Sequence, residues 1–279
     1  MKYFNKYNIP YYILKKKKDI IFWLIGIFLI LLIFLLISSK DFSFLLTLSS
    51  IIQCLSFIII IIKVKVFQNT SGLSVNTFYC YSILLISRLM STCFFDGYLP
   101  SDSSGDWFYQ LVDFSSFIFS IYLIYLITYC YKETSDIKND NIDLKYLIFP
   151  SFILAIFFHN NFNQFIICDI SWTFSMYLET VAIYPQLYLF IKKGGQIESY
   201  TSHYVALCGL SRLFSLIFWW CTFPELNEAI KVRSPGFFNN YMGYVIIFSQ
   251  ILQLIIMIDY YYLYFKSLIK GIQMNTFDI

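Results

Sequence analysis

Residues 172–187 read WTFSMYLETVAIYPQL, an apolar run that carries one carboxylate, at Glu179, and one proline, at Pro185. The run lies inside an apolar segment of about residues 165–191, which is long enough to cross a bilayer, since a helical crossing needs about 20 apolar residues. Proline removes a backbone donor and kinks a helix, and such breaks often mark a moving or ligand-lining segment. The stretch therefore predicts an interrupted transmembrane helix with a carboxylate at membrane depth.

Similar apolar segments recur along the whole chain. The sequence has 279 residues, of which 58% are hydrophobic and 13% are charged, whereas a soluble domain has about 25% charged residues. Seven further spans are predicted, at about residues 20–37, 43–62, 77–95, 107–130, 146–163, 203–222 and 241–265. This composition excludes a disordered chain, a collagen-like chain and an ordinary soluble enzyme. We predict an all-α integral membrane protein without a sizeable soluble domain.

The first span, residues 20–37, follows the four lysines at positions 15–18 and contains eighteen uninterrupted apolar residues. The apolar core of a signal peptide is usually about 7–15 residues long, and no cleavage site of small residues follows this one. We therefore expect an additional, uncleaved helix in front of the other seven, with a removed signal peptide as the alternative.

Basic residues are distributed unevenly about the eight predicted spans. With the amino terminus in the cytosol, the cytosolic side holds fifteen of the twenty Lys and Arg residues, and the other side holds Lys40, Lys231 and Arg233. Basic residues favour the cytosolic side of short loops, so the carboxyl terminus should also be cytosolic. The sequon Asn69-Thr70-Ser71 then faces the cytosol and should not be glycosylated.

An internal repeat is indicated by the triplet Ser87-Arg88-Leu89 in the third span, which recurs as Ser211-Arg212-Leu213 in the seventh. Each triplet follows a helix that ends in lysines. We interpret the chain as a seven-helix bundle of two three-helix repeats plus a linker helix, with the extra amino-terminal helix added in front. Parallel repeats of this kind usually place a ligand site between the halves, near mid-membrane.

Six ionisable residues fall at membrane depth, namely Arg88, Asp113, Asp169, Glu179, Arg212 and Asp259. Each costs about 2.5–3.5 kcal/mol on insertion scales, so such residues are usually paired or functional. Helical periodicity puts Asp169, Trp172 and Glu179 on one face of the sixth helix. It likewise puts Arg212, Ser215 and Trp219 on one face of the seventh. These faces predict a polar cavity within the bundle.

The residues alone leave two interpretations of these charges open. Glu179 and Arg212 form either a structural ion pair or part of a binding site, since a lone buried charge would be costlier than a pair. Arg88 has no acid in its own span, and its planar fork of donors suits a carboxylate or phosphate ligand; pairing with Asp113 or Asp259 is the alternative. Asp169 should lie near the non-cytosolic mouth, either in the site or solvated.

The stretch of residues 172–187 strongly resembles the KDEL-type endoplasmic reticulum (ER) lumen protein retaining receptors, and its Pro185-Gln186 dipeptide is typical of the wider PQ-loop family, related in fold to small sugar transporters. Residues 71–74, 201–204 and 259–264 share the resemblance, which extends over about residues 44–271. It implies seven helices in two three-helix repeats with a cytosolic carboxyl terminus. One extra helix in front of that fold agrees with the orientation that the basic residues indicate.

The resemblance implies a receptor of the ER and Golgi membranes. Such receptors bind the carboxyl-terminal retention signal of lumenal proteins in the Golgi and return these proteins to the ER in coated vesicles. The expected partners are retention-signal peptides, a vesicle coat and membrane lipid, without a cofactor, metal ion, nucleic acid or enzymatic activity. Residues 1–41 would form the basic amino terminus and extra helix, residues 42–271 the receptor-like domain, and residues 272–279 a cytosolic tail.

The resemblance also assigns the site. Arg88 matches the family arginine that holds the carboxylate of the signal, and Asp169 stands where the family has a glutamate facing the basic end of the signal. Positions that match outright are Trp172, Glu179, Arg212, Trp219 and Asp259.

Several site positions depart from the family pattern, which indicates a divergent member. Gln53 replaces a protonatable histidine, Leu46 an arginine and Ser91 an acid. Two tyrosines, an asparagine and an arginine are replaced by Ser211, Ser215, Phe218 and Thr222. Charge-assisted hydrogen bonds are worth about 1.5–3 kcal/mol each, so the loss of two arginines should weaken binding of an acidic signal. Residues 269–273 also lack the lysine cluster that the vesicle coat would read.

Two other functions remain open at this stage. A PQ-loop carrier would move a small polar solute between the repeats, with Gln53 and Pro185-Gln186 at hinges and Arg88 binding an anionic solute. A paralogue that no longer binds a signal would act as a structural partner; the replaced residues favour this alternative, and the retained Arg88 and Asp169 oppose it.

The charge distribution predicts a cytosolic carboxyl terminus, which can be tested with an epitope tag placed after Ile279. We expect an antibody to stain this tag in cells in which only the plasma membrane has been permeabilised. A tag in the predicted lumenal loop of residues 96–106 is the control, and it should stain only after the internal membranes are also opened. The reverse pattern would contradict the orientation.

Overall fold

The computed structural model describes residues 44–95, 106–159, 165–224 and 242–270, together with positions 26, 28 and 274. The predicted first span at 20–37 and the predicted tail at 272–279 lie almost entirely outside these residues. The α-helices within the described ranges are α1 (Phe44–Phe67), α2 (Val75–Thr92), α3 (Asp106–Tyr125), α4 (Lys145–Phe157), α5 (Ile166–Val181), α6 (Tyr184–Lys193), α7 (Ser199–Cys221), α8 (Met242–Ile256) and α9 (Ile258–Lys270). A π-helical turn, Leu126–Cys130, extends α3.

The helices occupy each of the seven positions predicted between residues 43 and 265. Within the residues that the structure describes, four helical segments are long and apolar enough to cross a membrane, namely Phe44–Phe67, Trp107–Cys130, Ile166–Lys193 and Ser199–Cys221. The pair formed by α8 and α9, bent by 47°, is a fifth if it makes one span. The chain is thus an all-α integral membrane protein, as predicted. Because α2 and the short α4 do not meet the same criterion, the count of seven spans stays a prediction.

The predicted interruption at Pro185 is present. Helix α5 ends at Val181, and Pro185 lies in the first turn of α6. A proline is tolerated there because the first N–H groups of a helix have no partner within the helix. The span is therefore interrupted between Val181 and Tyr184, immediately before the proline.

The packing of the helices is that expected for two repeats. Helix α1 packs chiefly against α7, and α2 packs against α5; α3 contacts both α1 and α2, as α8 contacts both α7 and α5. If α1, α2 and α3 correspond to α5, α7 and α8 in that order, each contact within the first set of helices has its counterpart within the second. The contact of α1 with α7 likewise corresponds to the contact of α5 with α2. Helix α4 packs against α5, which is the place of a helix that links the two repeats.

The glutamine of the Pro185-Gln186 dipeptide joins the two repeats at the end of the bundle where α6 finishes in lysines. Gln186 is fully buried. Its side-chain oxygen accepts from the N–H of Ser74 at 3.0 Å, and its side-chain nitrogen donates to the carbonyl of Gly72 at 2.7 Å. Both partners precede α2. Pro185 thus lies at the break in a helix of the second repeat, and Gln186 forms hydrogen bonds with the backbone of the first repeat.

Two aspartates between the π-helical turn and α4 complete this junction. Asp140 accepts from the Ser74 hydroxyl at 2.9 Å and from the N–H of Asn76 at 3.0 Å, yet burial outweighs these bonds and raises the pKa of Asp140. Burial would also raise the pKa of Asp136, but the ion pair with Lys193 at 2.7 Å and other hydrogen bonds hold this pKa below its usual value. The loop before α2 is therefore fixed from three sides.

Candidate ligand-binding site

The centre of the bundle contains one carboxylate held by two arginines. Oε2 of Glu179, on α5, lies 2.6 Å from Nη2 of Arg88 on α2, and its Oε1 lies 2.5 Å from Nη1 of Arg212 on α7. All three side chains are buried. The two arginines are the repeated residues of the Ser-Arg-Leu triplets, so one acid of the second repeat joins equivalent positions of both repeats.

Each arginine has a further partner. Arg212 donates to the side-chain oxygen of Gln53 on α1 and, at 2.7 Å, to the hydroxyl of Ser211. Nη1 of Arg88 lies 3.6 Å from Oδ2 of Asp113 on α3, which is too long for a good hydrogen bond. The network therefore contains two positive and two negative side chains and joins helices of both repeats.

The network lines a small cavity between the repeats. The residues around it are Leu46, Ser49, Ser50, Arg88, Tyr109, Trp172, Ser175, Met176, Glu179, Arg212, Ser215, Trp219 and Gln250. Its free volume is about 20 Å³, which is room for about one water molecule. A ligand larger than water can enter only if some of these side chains move apart.

An apolar cluster covers the charges on the side away from the lysine-rich end. We call it the aromatic lid; its residues are Leu46, Tyr109, Trp172, Phe218 and Trp219, all buried. The indole rings of Trp172 and Trp219 meet edge to face with their centroids 5.6 Å apart. Trp172 lies about two turns before Glu179, and Trp219 about two turns after Arg212. The lid therefore closes the end of the cavity that the charge distribution predicts to be lumenal.

The structure brings the residues of the two predicted faces to one cavity, with the exception of Asp169. Trp172 and Glu179 line the cavity from α5, and Arg212, Ser215 and Trp219 line it from α7. The ion pair between Glu179 and Arg212, one of the two interpretations left open, is present. The two helices face one another across the cavity, while α7 packs chiefly against α1 and α8.

Arg88 forms an ion pair, which was one of the two alternatives predicted for it. Its main partner is neither Asp113 nor Asp259, the two acids that the sequence suggested. Asp113 is a partner at 3.6 Å, and the shorter contact is with Glu179. Asp259 instead lines an apolar groove between α6 and α9. The physical reason is that α2 packs against α5, which brings Arg88 to an acid that lies 91 positions away in the sequence.

Asp169 is fully buried in the first turn of α5, so the interpretation that it is solvated is wrong. A carboxylate in the first turn is favoured by the partial positive charge of a helix amino terminus. Asp169 is not among the residues that line the cavity. Tyr109 does line it and was not predicted from the sequence, because an uncharged polar residue in an apolar span gives little signal.

Metal binding has no support in the part of the chain that the structure describes. No group of three or more His, Cys, Asp or Glu side chains is placed there to hold a metal ion. The chemistry available in the cavity is recognition of charge and of hydrogen-bonding groups by the two guanidinium groups and their acids.

Replacing Glu179 by glutamine should destabilise the protein strongly. The substitution keeps the shape of the side chain but leaves two buried guanidinium groups with one nearby negative charge, and unpairing a buried charge costs about 3–5 kcal/mol. We expect a clearly lower midpoint of thermal unfolding in detergent for Glu179→Gln. The matched control is Glu133→Gln, at an exposed position, which should unfold like the wild type. Equal midpoints for all three proteins would contradict a structural role for the network.

Comparison with known proteins supports the resemblance seen in the sequence. The profile of a family described as ER lumen protein retaining receptor matches residues 69–222 of this chain. The chain is 25% identical over 225 residues to ER lumen protein-retaining receptor erd-2.1 of Caenorhabditis elegans, covering 80% of this chain and 93% of that protein. It is 28% identical over 218 residues to ER lumen protein-retaining receptor 3 of Mus musculus, covering 78% and 90%.

A relative from a frog is similar to this chain over a comparable length. The chain is 29% identical over 218 residues to ER lumen protein-retaining receptor 3 of Xenopus tropicalis, again covering 78% of this chain and 90% of that protein. The matched profile spans more than half of the chain and includes Arg88, Glu179 and Arg212. This chain belongs to the ER lumen protein retaining receptor family.

Proposed function

We propose that the chain is a receptor of the ER and Golgi membranes that binds the carboxyl-terminal retention signal of lumenal proteins and returns these proteins to the ER. The observation that carries this proposal is the position of the two buried arginines. They stand at equivalent places of the two repeats and meet in a cavity between them. Family membership and the names of the relatives support the same function.

The terminal carboxylate of a peptide is the group that this cavity suits best. Arg88 offers a planar fork of donors, which matches a carboxylate in geometry as well as in charge. Its Nη2 contacts Glu179 closely, whereas among the described residues its Nη1 has only the long approach to Asp113. An incoming carboxylate can therefore accept from Nη1 and compete with Glu179 for the rest of the guanidinium group.

Binding requires the cavity to open. Its free volume of about 20 Å³ holds no peptide, so the aromatic lid must separate before a signal reaches Arg88. Trp172 and Trp219 form the edge of that opening and would pack against the side chains of the signal. With the orientation predicted from the basic residues, the lid faces the lumen, which is where the signal is presented.

The remaining predicted roles are part of this proposal. Asp169 lies ten residues before Glu179 on α5, or about 15 Å along the helix, and would favour a cationic group at the far end of the signal. Arg212 would hold Glu179 in place while Arg88 exchanges partners. The cytosolic tail at residues 272–279, the vesicle coat and membrane lipid remain proposed partners, as do the domain limits at residues 41 and 271.

The carrier of a small polar solute is the less favoured function. The relatives matched over most of this chain are named as receptors. The Pro185-Gln186 dipeptide, which a carrier would use as a hinge, is tied by Gln186 to the backbone of the other repeat through two hydrogen bonds. A receptor needs the cavity to open on one side only.

Binding should depend on the free carboxyl terminus of the peptide. We expect purified protein to bind hexapeptides in a saturable manner, and to bind the same peptides about tenfold or more weakly when they are amidated, since a charge-assisted hydrogen bond is worth about 1.5–3 kcal/mol. Arg88→Gln should cause a similar loss. Titration calorimetry at pH 5.4 and pH 7.4 measures both effects, with thermal unfolding as a check on folding.

The matched control for this experiment is Lys145→Gln, which removes an exposed cation at the lysine-rich end of the bundle and should leave binding unchanged. No saturable binding of any peptide would contradict the receptor proposal and favour a paralogue without signal binding. Equal binding of acid and amide forms would contradict the role of Arg88. Uptake of a small anionic solute into proteoliposomes would favour the carrier.

A further inference from the structure

The charges around the cavity cancel one another. Among the described residues, Arg88 and Arg212 supply two positive charges, and Glu179 and Asp113 supply two negative charges within 4 Å of them. All four side chains are at least nine-tenths buried. The cavity is therefore not a general attractor of anions, although it contains two guanidinium groups.

Asp113 is the least satisfied member of this group. It is 2% exposed, and its nearest cationic atom is Nη1 of Arg88 at 3.6 Å. Its Oδ2 has no hydrogen-bond donor in the described structure. A buried carboxylate oxygen without a donor is costly, and its negative charge beside Arg88 disfavours a ligand that brings a second carboxylate close to that arginine.

Among the described residues, the rest of the cavity wall adds no compensating charge. Leu46 and Trp219 are apolar, and Ser49, Ser50 and Ser215 are small and neutral. The terminal carboxylate of a peptide can be accommodated, because it takes over a guanidinium group now shared with Glu179. A side-chain carboxylate one or two residues earlier would meet Leu46 and Glu179, with the charge of Asp113 close by beside Arg88, and an unpaired charge in such a site is strongly unfavourable.

We infer that this site selects peptides with a free carboxyl terminus whose preceding residues are neutral or basic, and that Asp113 sets this preference. The inference rests on the proposed receptor function and names the class of its ligand. Asp113 acts on the ligand through Arg88 and through its own negative charge, which lies 3.6 Å from Nη1 of Arg88 although Asp113 does not itself line the cavity. Removing that charge leaves the cavity with a net positive charge and the shape of the site unchanged.

Three hexapeptides that differ only before the terminal leucine test the inference directly. Their last four residues are Lys-Ala-Ala-Leu, Lys-Lys-Ala-Leu and Lys-Asp-Glu-Leu, and each is prepared as free acid and as amide. For the wild type, we expect the neutral and basic free acids to bind about tenfold or more tightly than the acidic one. For Asp113→Asn, we expect the affinity for the acidic peptide to rise about tenfold. The difference in affinity between this peptide and the neutral and basic peptides should then become smaller or change sign.

The control variant is Asp143→Asn, which removes an exposed aspartate far from the cavity and should keep the wild-type preference. Leu46→Arg is a second variant, which adds a cation to the cavity wall, and it should also improve binding of the acidic peptide. If Asp113→Asn unfolds at a lower temperature than the wild type, the binding of the acidic peptide to Leu46→Arg tests whether the charge of the cavity sets the preference. A wild type that binds the acidic peptide best, with no change in Asp113→Asn, would overturn the inference and leave the receptor function standing. Absence of binding for all three free acids would overturn both.

Discussion

The fold and the proposed function both depend on one carboxylate shared by two arginines inside the membrane. Glu179 contacts Arg88 at 2.6 Å and Arg212 at 2.5 Å, in a region where an unpaired charge is expensive. Since the three residues lie on α2, α5 and α7, the network fixes the distance between the repeats at their centre. Gln53 and Asp113 extend it to α1 and α3, so that each helix of the first repeat contributes to it.

The same network explains why the site is closed. The guanidinium groups of Arg88 and Arg212 are both in contact with Glu179, and the free volume beside them is about that of one water molecule. A ligand must therefore replace internal contacts with contacts of the same kind, which a terminal carboxylate can do and an apolar group cannot. At the opposite end of the bundle, Gln186, Asp136 and Asp140 hold the loop before α2. Opening is thus expected on the side of the aromatic lid.

Much of this arrangement could be predicted from the sequence, because helical periodicity and the cost of buried charge act locally. The spans, the break at Pro185 and the shared faces of Trp172 with Glu179 and of Arg212 with Trp219 follow from spacing alone. The partner of Arg88 could not be predicted, since it depends on which helices are neighbours. The burial of Asp169 depends likewise on packing around the start of α5. Asp113 was one of the two acids expected to pair with Arg88, but its 3.6 Å approach to that arginine depends on the packing of α3 against α2.

The most direct test of the account is a structure of the protein with a bound peptide that has a free carboxyl terminus. We predict that the terminal carboxylate accepts hydrogen bonds from Arg88, that the contact between Arg88 and Glu179 lengthens, and that Trp172 and Trp219 no longer touch. The pair between Glu179 and Arg212 should persist. A peptide bound elsewhere, with Arg88 still against Glu179 and the lid still closed, would contradict the central claim.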